Sequence, residues 1–341
     1  MSNPPFVTSA RRRVVLALLA SAAVGLTPSA RGQATPSGLR HIGVLMGYTT
    51  ADQEAHVRVQ AFIDGMRKEG WIEGKTIKTT YHWAGNDPAS IRDHAAALVR
   101  SRPDVILAST TPVVRALLRE TQTIPIVFLS VSDPVGDRFV GSLARPGGNA
   151  TGFTNLTSSL GSKWVELLKE MKPSLSKVVA LFNPDVAANR GAYYYVPFEA
   201  AASSLGLAAK AVAVHNDGEL DAAMAGLAIE AADIGLVVMP DAFTVGKRAQ
   251  MIALAARHKI MSIYPYAYFV VEGGLMAYGV DLVEQYRAAV DYVDRILEGE
   301  PAGMLPVQAP TRFELVINGA TAKALGLTVP PALHLRADKL I

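Results

Sequence analysis

The sequence predicts an α/β protein with two doubly wound parallel-sheet lobes joined by a multi-segment hinge. Apolar runs of strand length alternate with helical patterns, which is typical of parallel sheets. The order strand, helix, strand, helix, strand, helix, strand occurs twice, with strands starting near positions 42, 77, 104 and 125 and again near 178, 209, 234 and 260. A chain of 341 residues, 50% of them hydrophobic, is also long enough to bury two cores.

The first predicted lobe contains four strands separated by helices. In order, these are a strand at 42–46, a helix at 57–70, a strand at 77–83, a helix at 90–100, a strand at 104–108, a helix at 113–121 and a strand at 124–129. The last strand is a continuous apolar run that opens into a polar loop from Ser130 to Gly136. Ligands of open α/β sheets bind beyond the carboxyl ends of the strands, so this loop is a candidate half of a binding site.

The second predicted lobe follows a dense turn signal at 144–149, and residues 151–155 are predicted to cross into it. Its elements are a strand at 177–182, a helix at 198–205, a strand at 208–215, a helix at 219–232, a strand at 234–239, a helix at 244–258 and a strand at 260–264. A strand at 275–281 leads back to an amphipathic helix at 282–299, and the proline-rich stretch 301–310 is a third crossing.

A short strand at 313–317 and a helix at 319–325 complete the pattern, and Pro330-Pro331 is predicted to end it. These patterns assign residues 35–151 and 280–305 to an N-terminal lobe, and residues 152–279 and 306–341 to a C-terminal lobe.

Residues 1–34 are predicted to be a signal peptide cleaved near Ala34. Arg11-Arg12-Arg13 precedes a short apolar stretch, and small residues follow. The general and the twin-arginine export routes both fit, and a buried N-terminal helix is the alternative. The segment has four arginines and no acid, so the rest of the chain carries a net charge of about −1 rather than the +3 of the whole. We therefore expect a periplasmic protein and no nucleic-acid partner.

Catalytic and metal-binding patterns are missing from the sequence. It has no cysteine, no phosphate-binding glycine loop, no nucleophile elbow and no pair of histidines four residues apart. No metal, cofactor or catalytic residue is therefore expected. The hydroxyls of residues 109–111, acting with Asp133, leave a hydrolase as an alternative, but no sequence feature supplies a base.

Polar and aromatic residues follow the predicted strands of both lobes, where they can hold a small solute. Hydroxyls, amides and helix N-termini bind carboxylates, aspartate binds an ammonium or hydroxyl, and tyrosine stacks on apolar or aromatic groups. Each polar residue could instead cap the helix that follows it. The candidate ligand-binding residues are Tyr48, Ser109, Thr110, Thr111, Ser132, Asp133, Asn155, Asn183, Asp241, Tyr264, Tyr278 and Asp281.

From about His41 onward, the chain resembles the ABC-transporter substrate-binding protein family that includes the tryptophan/tyrosine-type proteins. The resemblance rests on several stretches in a fixed order. They are I-G-V-L-M (42–46), G-W-x-E-G (70–74), P-D-V-I-L-A (103–108), I-P-I-V-F (124–128), V-S-D-P-V-G (131–136), L-A-R-P-G-G-N-A-T-G-F (143–153), L-F-N-P-D (181–185), M-P-D-A-F (239–243), Y-G-V-D (278–281) and A-L-G-L-T-V-P (324–330).

The resemblance implies the type I periplasmic-binding-protein fold, with capture of a small solute between the lobes. It also implies delivery to a membrane permease driven by a separate ATPase. The family's cleft positions fall on Ser109 to Thr111, Ser132, Asp133, Asn183, Asp241 and Tyr264. We expect a non-enzymatic monomer that binds an amino-acid-like, aromatic or branched polar molecule. A ligand-sensing partner of a membrane receptor is the alternative. A sugar-type regulator is disfavoured, because the predicted signal peptide occupies the place of a DNA-binding domain.

Overall fold

The structure is a computed structural model that describes residues 38–341. The predicted signal peptide lies outside the described residues. Two α/β lobes, each with its own sheet, make up this part of the chain, which confirms the predicted fold class. None of the helices between residues 38 and 341 is long and apolar enough to cross a membrane.

The N-terminal lobe has, within the described residues, a five-stranded parallel sheet in the order β2-β1-β3-β4-β5. The strands β1, β3, β4 and β5 are mostly buried, because helices cover both faces, whereas the edge strand β2 is mostly half-buried or exposed. The elements are β1 (Arg40–Met46), α1 (Gln53–Lys68), β2 (Ile77–Trp83), α2 (Pro88–Arg100), β3 (Val105–Ser109), α3 (Thr111–Glu120), β4 (Ile126–Val131) and β5 (Ala150–Thr154).

The fifth strand, β5, differs from the sequence prediction, which treats residues 151–155 as a crossing between lobes. It pairs in parallel with β4, from Ile126 opposite Ala150 to Val131 opposite Thr154. Gly152 makes this pairing possible, because a Cβ there would lie 2.1 Å from the carbonyl oxygen of Phe128. The glycine that favours a turn in the sequence is therefore required by close strand contact.

The C-terminal lobe has a seven-stranded sheet in the described chain, ordered β12-β11-β10-β9-β8-β6-β7. Only β11 pairs antiparallel to its neighbour β10. Short 3₁₀ helices lie at Ala188–Gly191 and Ala302–Met304. The elements that follow β5 along the chain are α4 (Leu160–Met171), β6 (Lys177–Phe182), α5 (Ala192–Ser204), β7 (Ala208–Ala213), α6 (Asp217–Ala228), β8 (Ile234–Val238), α7 (Ala242–Gly246), α8 (Arg248–Arg257), β9 (Met261–Tyr264), α9 (Ala267–Val271), β10 (Met276–Gly279), α10 (Leu282–Leu297), β11 (Glu314–Ile317), α11 (Gly319–Ala324), α12 (Pro331–Arg336) and β12 (Lys339–Leu340).

The last residues of the chain are folded, although Pro330-Pro331 is predicted to end the pattern. Pro331 is the first residue of α12, a position that tolerates proline because the backbone N–H there has no helical partner. The strand β12 then pairs with β11 through Val316 and Ile317. The proline pair therefore marks the start of a helix and not the end of the folded pattern.

The helix α10 returns to the N-terminal lobe and packs against α1. Its buried Tyr286 hydroxyl lies 3.6 Å from the sulfur of Met46 in β1. Gln285 Nε2 donates to the carbonyl oxygen of Thr154 at 2.9 Å. The chain therefore passes between the sheets after Asn155, at Val280–Asp281, and between Gln308 and Glu314.

Candidate functional site

Loops at the carboxyl ends of the strands in both lobes surround a cavity. About 30 Å³ of it is open to the centre of a water-sized sphere. A buried water needs roughly 10–15 Å³ by this measure, so the facing walls almost touch. The lining residues are Tyr48, Thr110, Thr111, Pro112, Ser130, Ser132, Asn155, Val186, Ala188, Pro240, Asp241, Ala242, Val245 and Tyr266.

Two hydroxyls on the N-terminal wall have no hydrogen-bond partner among the described residues, those of Thr110 and Ser130. Both residues have positive φ, 88° for Thr110 and 57° for Ser130. Such conformations cost of order 1–3 kcal/mol in residues other than glycine and occur where function requires them. Thr110 precedes α3, whose first turn has no side-chain cap, so its N–H groups also face the cavity. This wall is rich in available donors.

The carboxylate of Asp241 forms the polar part of the C-terminal wall. Its Oδ2 accepts from the backbone N–H of Asn183 at 2.9 Å, and its Oδ1 accepts from that of Thr244 at 2.8 Å. The Thr244 hydroxyl lies 3.1 Å from the Asp241 nitrogen, which completes a capping box at the start of α7. Burial raises the pKa of Asp241 to about 7, although these backbone donors favour the charged form.

A hydrogen bond between the crossing segment and the C-terminal lobe closes one end of the cavity. Asn155 Nδ2 donates to the hydroxyl oxygen of Tyr266 at 2.9 Å. Burial raises the pKa of Tyr266, Arg58 lowers it, and Asp241 raises it further. A cation and an acid therefore both act on the Tyr266 hydroxyl in the cavity wall.

The structure brings six of the predicted site residues to the cavity, namely Tyr48, Thr110, Thr111, Ser132, Asn155 and Asp241. The other six lie elsewhere in the described chain. Three of them make local hydrogen bonds: Asp133 accepts from Gly136 N at 2.8 Å, Asn183 from Asp185 N at 2.9 Å, and Asp281 from Val283 N at 2.8 Å. They act as caps or turn residues, as the alternative interpretation of the sequence allowed.

The remaining three predicted residues face protein rather than the cavity. The buried hydroxyl of Tyr264 accepts from Ser262 at 2.9 Å. The ring of Tyr278 stacks on Phe313 with centroids 5.9 Å apart. Ser109 is fully buried beside Thr110, at the end of β3.

Sequence reasoning missed Arg58, a residue of α1 that is only 1% exposed. Its guanidinium carbon lies 5.2 Å from the ring centre of Tyr48 and 5.1 Å from that of Tyr268. Tyr48 follows β1, whereas Tyr268 lies in α9 of the other lobe. The sequence did contain a signal, because Arg58 shares one helix face with Phe62 and Met66 at four-residue spacing. A charged residue on an apolar face indicates a special contact.

Direct contacts join the two lobes across the mouth of the cleft. Arg248 Nη1 lies 2.9 Å from Asp52 Oδ2, and both side chains are largely buried. Arg248 Nε also contacts Glu272 Oε1 at 2.7 Å within its own lobe. Asn86 Nδ2 donates to the carbonyl oxygen of Ala242 at 2.8 Å. These contacts hold the lobes in a closed arrangement.

Residues 51–341 match the family described as ABC transporter substrate binding protein. The chain belongs to this family. The family is one of solute-binding proteins that serve ABC transporters, which confirms the resemblance found in the sequence. Among curated relatives, a tyrosine-binding protein of Clostridioides difficile is 28% identical over 79% of this chain and 76% of its own length.

Two solved structures share the fold of this chain. A Streptococcus pneumonia ABC domain in complex with L-Trp is 22% identical and has a TM-score of 0.80, with 89% of this chain and 100% of that chain covered. A ligand-free, open substrate-binding protein from Clostridium difficile is 23% identical and scores 0.65, with 88% and 99% covered.

Proposed function

We propose that this protein is the substrate-binding component of an ABC importer and captures an aromatic amino acid between its lobes. The observation that carries the proposal is the cavity shared by both lobes. Its N-terminal wall presents the unpartnered hydroxyls of Thr110 and Ser130, and its C-terminal wall presents Asp241. Donors on one side and an acid on the other fit the carboxylate and ammonium of an α-amino acid.

Aromatic and apolar residues complete the cavity around these polar groups. Tyr48 and Tyr266 line it on opposite lobes, together with Val186 and Val245. Tyrosine rings favour stacking against another aromatic ring, and the valines add apolar contact. The names of two similar proteins support this class of ligand, since one is called tyrosine-binding and another was solved with L-Trp.

The ligand enters while the lobes are apart, because the cavity of about 30 Å³ is far below the roughly 300 Å³ of a typical ligand pocket. It first binds the donors of the N-terminal wall. Rotation of the C-terminal lobe then covers it and brings Arg248 toward Asp52 and Asn86 toward Ala242, while the ligand keeps the lobes farther apart than in this structure. Ligand contacts made only in the closed form shift the equilibrium toward that form. No covalent step is needed, so the protein acts as a non-enzymatic carrier.

Export and partners form the finer part of the proposal. The arginines and the apolar stretch of residues 1–34 support export to the periplasm with cleavage near Ala34. There the protein acts as a monomer and delivers its ligand to a permease driven by a separate ATPase. The solute-binding family supports these partner classes.

Calorimetry on the purified mature chain tests the proposed ligand. L-tyrosine, L-tryptophan and L-phenylalanine are titrated beside L-leucine, L-lysine, D-tryptophan and a hexose. At a ligand concentration of 100 times Kd, binding adds about 2.7 kcal/mol to the free energy of unfolding, which a thermal shift detects. Small-angle scattering records compaction on binding. The proposal fails if the folded protein binds none of the aromatic L-amino acids, or binds them no better than the hexose.

A further inference from the structure

The guanidinium of Arg58 is a buried cation that lacks an ionic partner. Neither Nη1 nor Nη2 has a hydrogen-bond partner within residues 38–341, and the residue is 1% exposed. Burial opposes its charged form, but the surrounding phenols of Tyr48, Tyr268 and Tyr286 favour it, and the pKa of Arg58 is raised overall. Arginine stays protonated in proteins. The side chain is therefore a full positive charge held out of water.

The nearest acid, Asp52, is already engaged. Its Oδ1 accepts from Ala55 N at 3.0 Å, and its Oδ2 pairs with Arg248 at 2.9 Å. Contacts with tyrosine rings offset part of the cost of burying a guanidinium, but they supply no acceptor for its N–H groups. A buried charge without a hydrogen-bonded counter-charge is strongly unfavourable. Arg58 therefore requires an anionic group from outside the described chain.

The surroundings of Arg58 connect it to the donor-rich N-terminal wall. Its ring contact Tyr48 lines the cavity. Its neighbour Tyr286 places its hydroxyl 3.6 Å from the sulfur of Met46, the last residue of β1. Gly47 packs so closely on Thr110 that a Cβ there would lie 2.3 Å from the Thr110 hydroxyl. Arg58, through its contact with Tyr48, and the Thr110 hydroxyl, through its contact with Gly47, thus both adjoin the loop that follows β1.

We propose that Arg58 binds the carboxylate of the ligand, and that this makes the carboxylate the group that the site requires most. The inference rests on the proposed function. While the cleft is open, the ligand reaches Arg58 from the cleft side of the N-terminal lobe. Tyr268, whose hydroxyl also lacks a partner in the described structure, then covers it from the other lobe. A guanidinium binds the two oxygens of a carboxylate in one plane, which a hydroxyl cannot do.

The ammonium of the ligand contributes less than the carboxylate. Both oxygens of Asp241 already accept backbone hydrogen bonds from its own lobe, so an ammonium must share them. Arg58 has no such competing partner among the described residues. An aromatic acid without an amine should therefore bind better than an aromatic amine without a carboxylate.

Three ligands and three variants test this assignment. L-tryptophan has both charged groups, indole-3-propionate lacks the amine, and tryptamine lacks the carboxylate. For the wild type, we expect tryptamine to bind at least 100-fold more weakly than L-tryptophan, and indole-3-propionate within about 10-fold. Arg58→Met preserves an unbranched apolar stem of similar shape without the charge. It should reduce the preference for L-tryptophan over tryptamine to below about 10-fold.

Arg248→Met is the matched control, because it removes the other guanidinium that contacts Tyr268. It removes the ion pair with Asp52 between the lobes and the pair with Glu272 within its own lobe, and should weaken all three ligands by the same factor. Arg58→Lys retains a charge on a flexible stem and should keep part of the preference, which provides a readout if Arg58→Met does not fold.

Two outcomes overturn the assignment. If Arg58→Met weakens all three ligands equally, so that the preference for L-tryptophan over tryptamine is unchanged, Arg58 is a structural contact between lobes. If the folded wild type binds none of the three ligands, the proposed function fails as well. These results are distinguishable, because only the second removes binding from the wild type.

Discussion

The polar side chains on the N-terminal wall of the cleft lack partners in the described chain, whereas those on the C-terminal wall bind their own backbone. Thr110 and Ser130 on this wall, and Arg58 in contact with Tyr48, have donors without a partner within residues 38–341. The carboxylate of Asp241, by contrast, accepts hydrogen bonds from the backbone nitrogens of Thr244 and Asn183. The N-terminal wall can therefore exchange water for ligand without losing a protein contact. The C-terminal wall is a preformed cover whose polar groups primarily hold its own loops.

The backbone shows the same contrast. Thr110 and Ser130 have positive φ, whereas Asp241 has the extended conformation usual for a helix cap. Strain on one wall and regular capping on the other suggest that mutations will separate the two roles. Changes on the N-terminal wall should alter affinity, and changes on the C-terminal wall should mainly alter stability.

Removing the acid from the C-terminal wall should have the largest effect, and the effect should depend on pH. Asp241 has a pKa of about 7 in the folded protein against an ordinary 3.8. Its contribution to the free energy of unfolding is fully present below about pH 4. It is lost as the pH rises through about 7, because the unfolded chain releases the proton first. The loss is at most about 4 kcal/mol.

The variant Asp241→Asn lacks this titration. Its side-chain NH2 group faces a backbone N–H donor, which lowers the free energy of unfolding at every pH. Chemical denaturation from pH 4 to 8 should show the wild type losing stability faster than the variant. Parallel curves would show that Asp241 is ionised throughout the range.

Relieving strain on the N-terminal wall should raise stability and lower affinity. Glycine adopts the φ of 88° at position 110 freely, so Thr110→Gly should add about 1 kcal/mol to the free energy of unfolding. Loss of the hydroxyl should weaken binding of an aromatic amino acid about 10-fold. Arg102→Gly is the control, since Arg102 is exposed after α2 with a φ of 49°. It should stabilise the fold without changing affinity. An unchanged affinity in Thr110→Gly would remove Thr110 from the binding site.

Tyr264→Phe tests a residue that the sequence predicts for the site but that the structure buries away from the cavity. Its hydroxyl bonds only to Ser262 among the described residues. Its removal should lower the free energy of unfolding by about 1 kcal/mol, measured by urea denaturation. Affinity measured by calorimetry should stay the same. A tenfold loss of affinity would mean that the hydroxyl turns toward the ligand.

Asn86→Ala should have the smallest effect, because it removes one exposed hydrogen bond between the lobes, to Ala242. Affinity should fall by about 2- to 3-fold, since the bond forms only in the closed arrangement. Stopped-flow kinetics should assign this change to faster dissociation. Gln122→Ala removes an exposed amide bonded within its own lobe, to Leu118, and should leave both rates unchanged. Slower association in Asn86→Ala would instead place Asn86 on the entry path.

The fold could be predicted from the sequence wherever periodicity was strong. The alternating run of β2 and the apolar runs of β3 and β4 lie at or within two residues of their predicted positions. Short elements were not predicted, because they form only by pairing with strands that are distant in the sequence. β5 is a strand because β4 lies beside it, and β12 contains two residues that only β11 orders.

The site was harder to predict, because a strand-end residue looks alike whether it caps a helix or faces a ligand. The carboxylates of Asp133 and Asp281 accept hydrogen bonds from nearby backbone N–H groups, and the side chain of Tyr264 lies in the core. Tyr266, two residues later, faces the cavity instead. Arg58 depends on Tyr268 from the other lobe, and no local pattern encodes that meeting.

The ion pair between Asp52 and Arg248 affects how readily the protein releases its ligand. When the lobes part, Asp52 keeps the backbone N–H of Ala55 and its place at the start of α1, where a negative charge is favourable. Arg248 keeps Glu272. Neither charged group loses all of its partners, so separating the pair costs little free energy and the opening of the lobes stays reversible. A transport cycle needs a contact of this kind, which keeps the lobes closed while the ligand is carried and separates when the ligand is released.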